Sequence, residues 1–160
     1  MKPCINLDEL NDYQETSHGQ FAEKYAGVSD KIGAQKLDYS VTILQPGMKV
    51  CPFHNHRVIE EMFLILEGSG TLRFGSEEYP LKVHDVIACP PGGREVAHQI
   101  INTSDAELRY LCLSTSEEAD VCEYPDSNKM MAYTRGDDDA GFKHIARMEQ
   151  AVDYFDGEEE

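Results

Sequence analysis

Two histidines one residue apart, His54 and His56, are followed by Glu61 and, much later, by His98. Side chains on an extended chain repeat every two residues, so a His-x-His pair sends both imidazoles to one side. The two rings can then share one cation. Glu61 opens an apolar stretch, Glu61–Leu66, and a carboxylate leading a buried strand is costly unless a positive charge offsets it. A divalent ion would supply that charge. His98 opens a later extended segment, placed to close the site from a neighbouring strand. Three imidazoles and one carboxylate suit Fe, Mn, Ni, Co, Cu or Zn and leave positions open for water or substrate. The expectation is one divalent transition metal held by His54, His56, Glu61 and His98.

Other polar residues divide between chemistry and structure. Arg94 and Glu95 sit in the loop just before His98, and loops at a barrel mouth often carry specificity. Arg94 carries two readings, a solvent salt bridge or, with Glu95 beside it, a bidentate contact to a substrate carboxylate or phosphate. Glu60, next to Glu61, points the other way on a strand. His84-Asp85 reads as a solvated turn, and His18 and His144 lie outside the cluster. Asn102 reads as a turn residue after His98. Cys51 and Cys89 read as small buried hydrophobes rather than nucleophiles.

The elements that must position these groups are strands. In Leu37–Leu44, Leu37, Tyr39, Val41 and Ile43 alternate with Asp38, Ser40 and Thr42, the period of a strand with one buried face. Glu61–Leu66 reads as a strand buried on both faces, closed by Gly68-Ser69-Gly70. Segments 71–74, 79–83, 86–89, 98–101 and 108–113 follow, punctuated by Gly75-Ser76, Pro90-Pro91-Gly92-Gly93 and Asn102–Asp105. Short strands at near-regular spacing with Gly and Pro turns indicate an antiparallel sandwich or barrel. In the first 36 residues, Asp8–Asp12 reads as a short turn and Phe21–Tyr25 as one helical turn, wrapping the barrel.

A chain of 160 residues fits one domain. With 14 Lys and Arg against 30 Asp and Glu, the net charge of −16 argues against nucleic acid or an anionic membrane as partner. The longest apolar run, Met62–Leu66, is far short of the roughly 20 residues a spanning helix needs. The acidic start (Asp8, Glu9, Asp12) is unlike a secretory signal. Five cysteines without a Cys-x-x-Cys pair read as reduced thiols in a cytoplasmic protein. Residues 136–160 carry a net −7, with Asp137–Asp139 and Glu158–Glu160 read as solvated. Phe142, Tyr154 and Phe155 are expected to dock part of this tail on the domain.

The stretch Gly47–Gly68, GMKVCPFHNHRVIEEMFLILEG, resembles the first motif of the cupin superfamily: Gly, His-x-His, three or four residues, Glu, six residues, Gly. Glu61 fits that spacing better than Glu60. Six residues rather than five separate Gly47 from His54. The second motif runs Gly, five residues, Pro-x-Gly, two residues, His, three residues, Asn. Here His84 stands where the Gly is usual, Pro90-Pro91-Gly92 follows, and five residues precede His98, with Asn102 at the usual distance. The resemblance covers about residues 37–115. It implies an all-β double-stranded β-helix, the cupin jelly roll, with an N-terminal extension (1–36), the barrel (37–115) and an acidic C-terminal extension (116–160) packing on it. The whole chain is similar to small bacterial cupins described as sugar-phosphate-isomerase-like, and these commonly form homodimers. A swapped N-terminal strand would cover a sheet edge in such a dimer.

Three functions remain open at this point. The first is a metal-dependent isomerase or epimerase acting on a small polar molecule such as a sugar phosphate, with the metal as Lewis acid and a base moving a proton. The base is not marked by spacing. The second is a non-haem metal dioxygenase. The third is a non-catalytic small-molecule binding protein, since one scaffold hosts many chemistries.

Overall fold

The computed structural model describes residues 2–136 and 141–158. Its strands are β1 (Gln14–His18), β2 (Phe21–Gly27), β3 (Leu37–Leu44), β4 (Asn55–His56), β5 (Glu61–Glu67), β6 (Ser69–Phe74), β7 (Glu77–Lys82), β8 (Val86–Cys89), β9 (His98–Ile101), β10 (Leu108–Thr115), β11 (Ala119–Tyr124), β12 (Lys129–Thr134) and β13 (Lys143–Arg147). One helical turn, α1 (Ser29–Ile32), precedes β3. Six strands form one sheet in the order β1-β2-β3-β10-β5-β8. The orders β13-β12-β11-β4 and β7-β6-β9 make up the rest. All the strand pairings are antiparallel, and the whole is a double-stranded β-helix.

The alternation read from Leu37–Leu44 has a direct structural cause. β3 pairs along its whole length with β10, from Leu37 opposite Thr115 to Leu44 opposite Leu108. Its odd and even positions therefore face different layers. Leu44 turns inward with Phe63 and Ile65 of β5, Leu108 and Tyr110 of β10, and Leu72, Leu81 and Ile100 from the facing strands. Val41 turns the other way and forms a second core with Leu10, Ala26 and Val28. Fully burying each large aliphatic side chain contributes about 1.5–3 kcal/mol before entropy is counted. β5 follows the same logic: Phe63 and Ile65 are buried, while Met62 and Leu64 on the opposite face are only half-buried.

Two turns need special backbone. Gly68 has φ +80°, and a Cβ there would lie 2.1 Å from the carbonyl oxygen of Glu107, so only glycine fits. His84 has φ +74°, the left-handed region that makes glycine the usual residue at this motif position.

Several expectations change. Phe21–Tyr25 is strand, not a helical turn. β2 is hydrogen-bonded between β1 and β3, and its side chains alternate between the barrel interior and the second core. Asp8–Asp12 does begin as a turn, the 3₁₀ segment Leu7–Glu9, capped by the Asn6 side chain. Phe142, Tyr154 and Phe155 do not dock: they are 57, 87 and 71 % exposed, and β13 is held by its backbone ladder to β12. Glu158 is exposed, whereas Asp137–Asp139 and Glu159–Glu160 lie outside the described residues. The sheets also continue past Thr115, because β11 pairs with β4.

Candidate functional site

The segment before β4 is held between two partners. The His54 N–H donates to the His98 carbonyl at 3.2 Å, and the His98 N–H donates back to the His54 carbonyl at 2.7 Å. On its other side β4 pairs with β11, His56 opposite Cys122. Glu61 starts β5, opposite Ser114 and Cys89. These pairings bring four side chains separated in sequence to one point. Oε2 of Glu61 lies 2.9 Å from Nε2 of His98, 3.3 Å from Nε2 of His56 and 3.8 Å from Nε2 of His54. The four expected metal ligands thus face one another. All are well shielded from solvent, His98 most of all.

The far nitrogen of each ring fixes its orientation. Nδ1 of His54 donates to the Pro52 carbonyl at 2.9 Å, and Nδ1 of His98 to the Val96 carbonyl at 3.3 Å. Nδ1 of His56 donates to Oδ2 of Asp120 at 2.5 Å. Asp120 is itself buried and accepts a second bond from the Val58 N–H at 3.0 Å. With Nδ1 committed as donor, a neutral ring turns its Nε2 lone pair towards Glu61. Were all three rings neutral, three lone pairs and a carboxylate would meet with no donor among them. That arrangement is repulsive alone and fits a divalent transition metal with open positions.

Electrostatics give the same picture. Burial pushes the His54 imidazole down to about 4, with His98 adding to the effect, so this ring is neutral near pH 7. Burial also opposes charge on His56, yet Asp120, Cys122 and Glu61 outweigh it and hold that ring up to about 12. Burial would raise Glu61, but hydrogen bonds from His56 and His98 bring it well below the usual carboxylate range. In the metal-free cage a proton on His56 therefore does the work of a cation, and a metal would displace it.

Asp120 is the residue that sequence reasoning missed. It stands 64 positions from His56, in a strand with no motif around it. Its only signal is an acid in the short alternating run of β11.

Beside the cage lies a chamber of about 180 Å³. Phe63, Ile100 and Tyr110 form its apolar part, and Glu23, Thr42 and Gln99 its polar part. Burial raises the Cys51, Cys112 and Tyr110 protons well above their ordinary values, so these groups stay protonated. Glu23 is also raised by burial, an effect that the neighbouring Thr42 partly offsets.

Arg94 and Glu95 do not line this chamber. The Arg94 guanidinium donates to Oδ1 of Asn128 at 2.8 Å and lies 3.5 Å from Glu123. The Glu95 carboxylate accepts the Gly93 N–H at 2.9 Å. The β11–β12 turn folds back over this loop and engages Arg94. Asn102 braces the turn after β9, donating to the Leu44 and Ala106 carbonyls at 2.8 Å each. Glu60, His18 and His144 are exposed, and Cys89 is buried.

Comparison with known proteins agrees with this geometry. The Cupin domain model matches residues 40–114. The uncharacterised protein MJ1618 of Methanocaldococcus jannaschii is 32 % identical over 92 residues, 55 % of this chain and 70 % of that protein. Auxin-binding protein 1 of Arabidopsis thaliana is 25 % identical over 140 residues, 78 % of this chain and 68 % of that one. Among solved structures, an assigned sugar phosphate isomerase from Acidithiobacillus ferrooxidans superposes with TM-score 0.83 at 21 % identity, covering 94 % of this chain and 96 % of that one. A cupin-superfamily sugar phosphate isomerase from Silicibacter pomeroyi gives 0.77 at 22 % identity, covering 96 % and 98 %. At such identities these two structures establish the fold. With the His-x-His–Glu61–His98 arrangement set in this double-stranded β-helix, the chain belongs to the cupin family.

Proposed function

We propose that the protein is a metal-dependent enzyme acting on a small polar substrate, of the isomerase or epimerase type. His54, His56, Glu61 and His98 are its metal ligands and Asp120 positions His56. One observation carries this reading: three Nε2 atoms and a carboxylate oxygen converge with every back-side nitrogen already committed as a donor. Bound there, a divalent metal supplies a Lewis acid for a carbonyl or hydroxyl pair. The chain's own part is to orient and to exclude water. Phe63 and Tyr110 keep one wall of the chamber dry, and Thr42 and Gln99 offer hydrogen bonds to a polar ligand. The sugar phosphate isomerase assignments of two neighbours of the same fold support this reaction class. The same reading takes the protein as a cytoplasmic homodimer, with edge strands β1 and β13 free to pair with a second copy.

The test is elemental analysis of protein purified without a metal-affinity tag. About one divalent metal per chain is expected, and His56→Ala should lose most of it. Unchanged stoichiometry in that variant would refute the ligand assignment. Turnover of small aldoses or ketoses without O₂ supports the isomerase class; a strict requirement for O₂ and iron would transfer the protein to the dioxygenases. Metal loss with ligand affinity intact would make it a binding protein.

A further inference from the structure

Glu23 is a carboxylate inside the chamber that the cage does not use. Its position follows from strand registers. Tyr25 pairs with Thr42, so Tyr25 and, two residues back, Glu23 share the inward face of β2, while Ala26 faces the second core. Phe21 forms a parallel bridge to Lys49, and continuing that register sets Glu23 beside Cys51. The Cys51 thiol in turn lies 3.5 Å from Nδ1 of His54. One wall therefore runs from the cage, past Cys51, to Glu23.

The chamber thus has two acids, Glu61 in the cage and Glu23 away from it. Among the described residues no Lys or Arg lines it. Of the cations nearby, Lys31 is paired with Asp12 and Arg135 with Asp38, and Lys49 lies over the Phe21 ring at 5.4 Å from its centroid. A phosphate group brings close to two negative charges and is met in proteins by guanidinium forks, lysines or helix N-termini. Against a carboxylate in a partly desolvated pocket it would be repelled. A hydroxyl would instead donate a hydrogen bond to Glu23.

We infer that the ligand of this chamber is unphosphorylated, a small polyhydroxy molecule whose far hydroxyl donates to Glu23 while its near end meets the cage. The near-end half rests on the metal-dependent reading above; the far-end half does not. The substrate class inferred here differs from that named for the two structural neighbours.

A matched pair of probes tests this: D-erythronate and 4-phospho-D-erythronate, which differ only in the terminal phosphate. Binding is followed by the visible absorption of protein loaded with Co(II). Wild type should bind erythronate at least about tenfold more tightly than its phosphate. Glu23→Gln should shrink that ratio towards one, and Glu23→Lys should invert it. Raising salt to about 0.5 M separates this local effect from the overall charge, because repulsion by the net −16 is screened more than repulsion by a half-buried carboxylate at close range. Equal or tighter binding of the phosphate by wild type would overturn the inference, as would an unchanged ratio in Glu23→Gln. If Co(II) fails to load, the metal reading fails. The same ratio is then read from ligand-induced shifts in the thermal midpoint of the metal-free protein, so the two claims fall separately.

Discussion

The two flanks of the motif-bearing stretch serve the site in opposite ways. The N-terminal flank is bound firmly and contributes to the ligand chamber. Leu10, Ala26 and Val28 bury themselves against Val41, and Arg109 ties Asp8 and the Leu7 carbonyl to β10 and Glu67. β2 then presents Glu23 and Tyr25 inward. The C-terminal flank braces the histidine cage instead, among the described residues only with its first strand. β11 brings Asp120 behind His56, whereas beyond β12 the chain leaves Phe142, Val152, Tyr154 and Phe155 in solvent. Burial, rather than closeness to the motifs, separates the parts of each flank that matter.

The largest effect is expected where a flank buries a large apolar side chain. Leu10→Ala should lower unfolding free energy by about 2–4 kcal/mol, as buried Leu→Ala changes do, with metal content per folded chain unchanged. Denaturant titration and elemental analysis of the same sample check both halves. Asp120→Asn should act in the reverse sense. It keeps the shape but removes the charge behind His56, so metal affinity should drop about 10–100-fold with less effect on folding. Competition with a chromophoric chelator measures this. If Leu10→Ala also emptied the cage, the division of labour between the flanks would be wrong.

A smaller effect comes from acid. His56 and the Val58 N–H hold Asp120 down to about 2 from its ordinary 3.8, against the opposing pull of burial, and Glu61 is also depressed. A depressed carboxylate stabilises the fold above its unfolded pKa and loses that contribution as pH falls towards its folded one. The metal-free protein should therefore lose stability between about pH 4.5 and 2, with Asp120 contributing on the order of 1 kcal/mol. Thermal midpoints of wild type and Asp120→Asn should converge as pH falls through this window; a constant gap would contradict the assignment. The smallest effect belongs to the exposed tail. Tyr154→Ala and Phe155→Ala should each change stability by no more than about 0.5 kcal/mol, by the same denaturant titration.

Much of the barrel was legible in the sequence because its signals are local. Period-two alternation marks β3, Gly68 separates β5 from β6, and Pro90-Pro91 ends β8. The cage was legible for the same reason: His-x-His fixes two rings on one side, and Glu61 stands out as an acid leading an apolar strand. β1 and β2 were not, because QETSH is fully exposed and FAEKYAG puts Glu23 on the same inward face as Tyr25, which blurs the alternation. Asp120 acquires meaning only through a partner 64 residues away. The sequence left Arg94 between two readings for the converse reason. Its loop does approach the mouth, but Asn128 and Glu123 arrive from beyond residue 115 and take the guanidinium.

The hairpin of β1 and β2 lies at the rim of its sheet, joined to the body through β3 alone among the strands and through the bridge to Lys49. The proposed metal ligands and the proposed far-end contact, Glu23, are thus carried on separate pieces of chain. Substitutions in one peripheral ribbon would then reshape the far end of the chamber while leaving the four side chains of the cage in place.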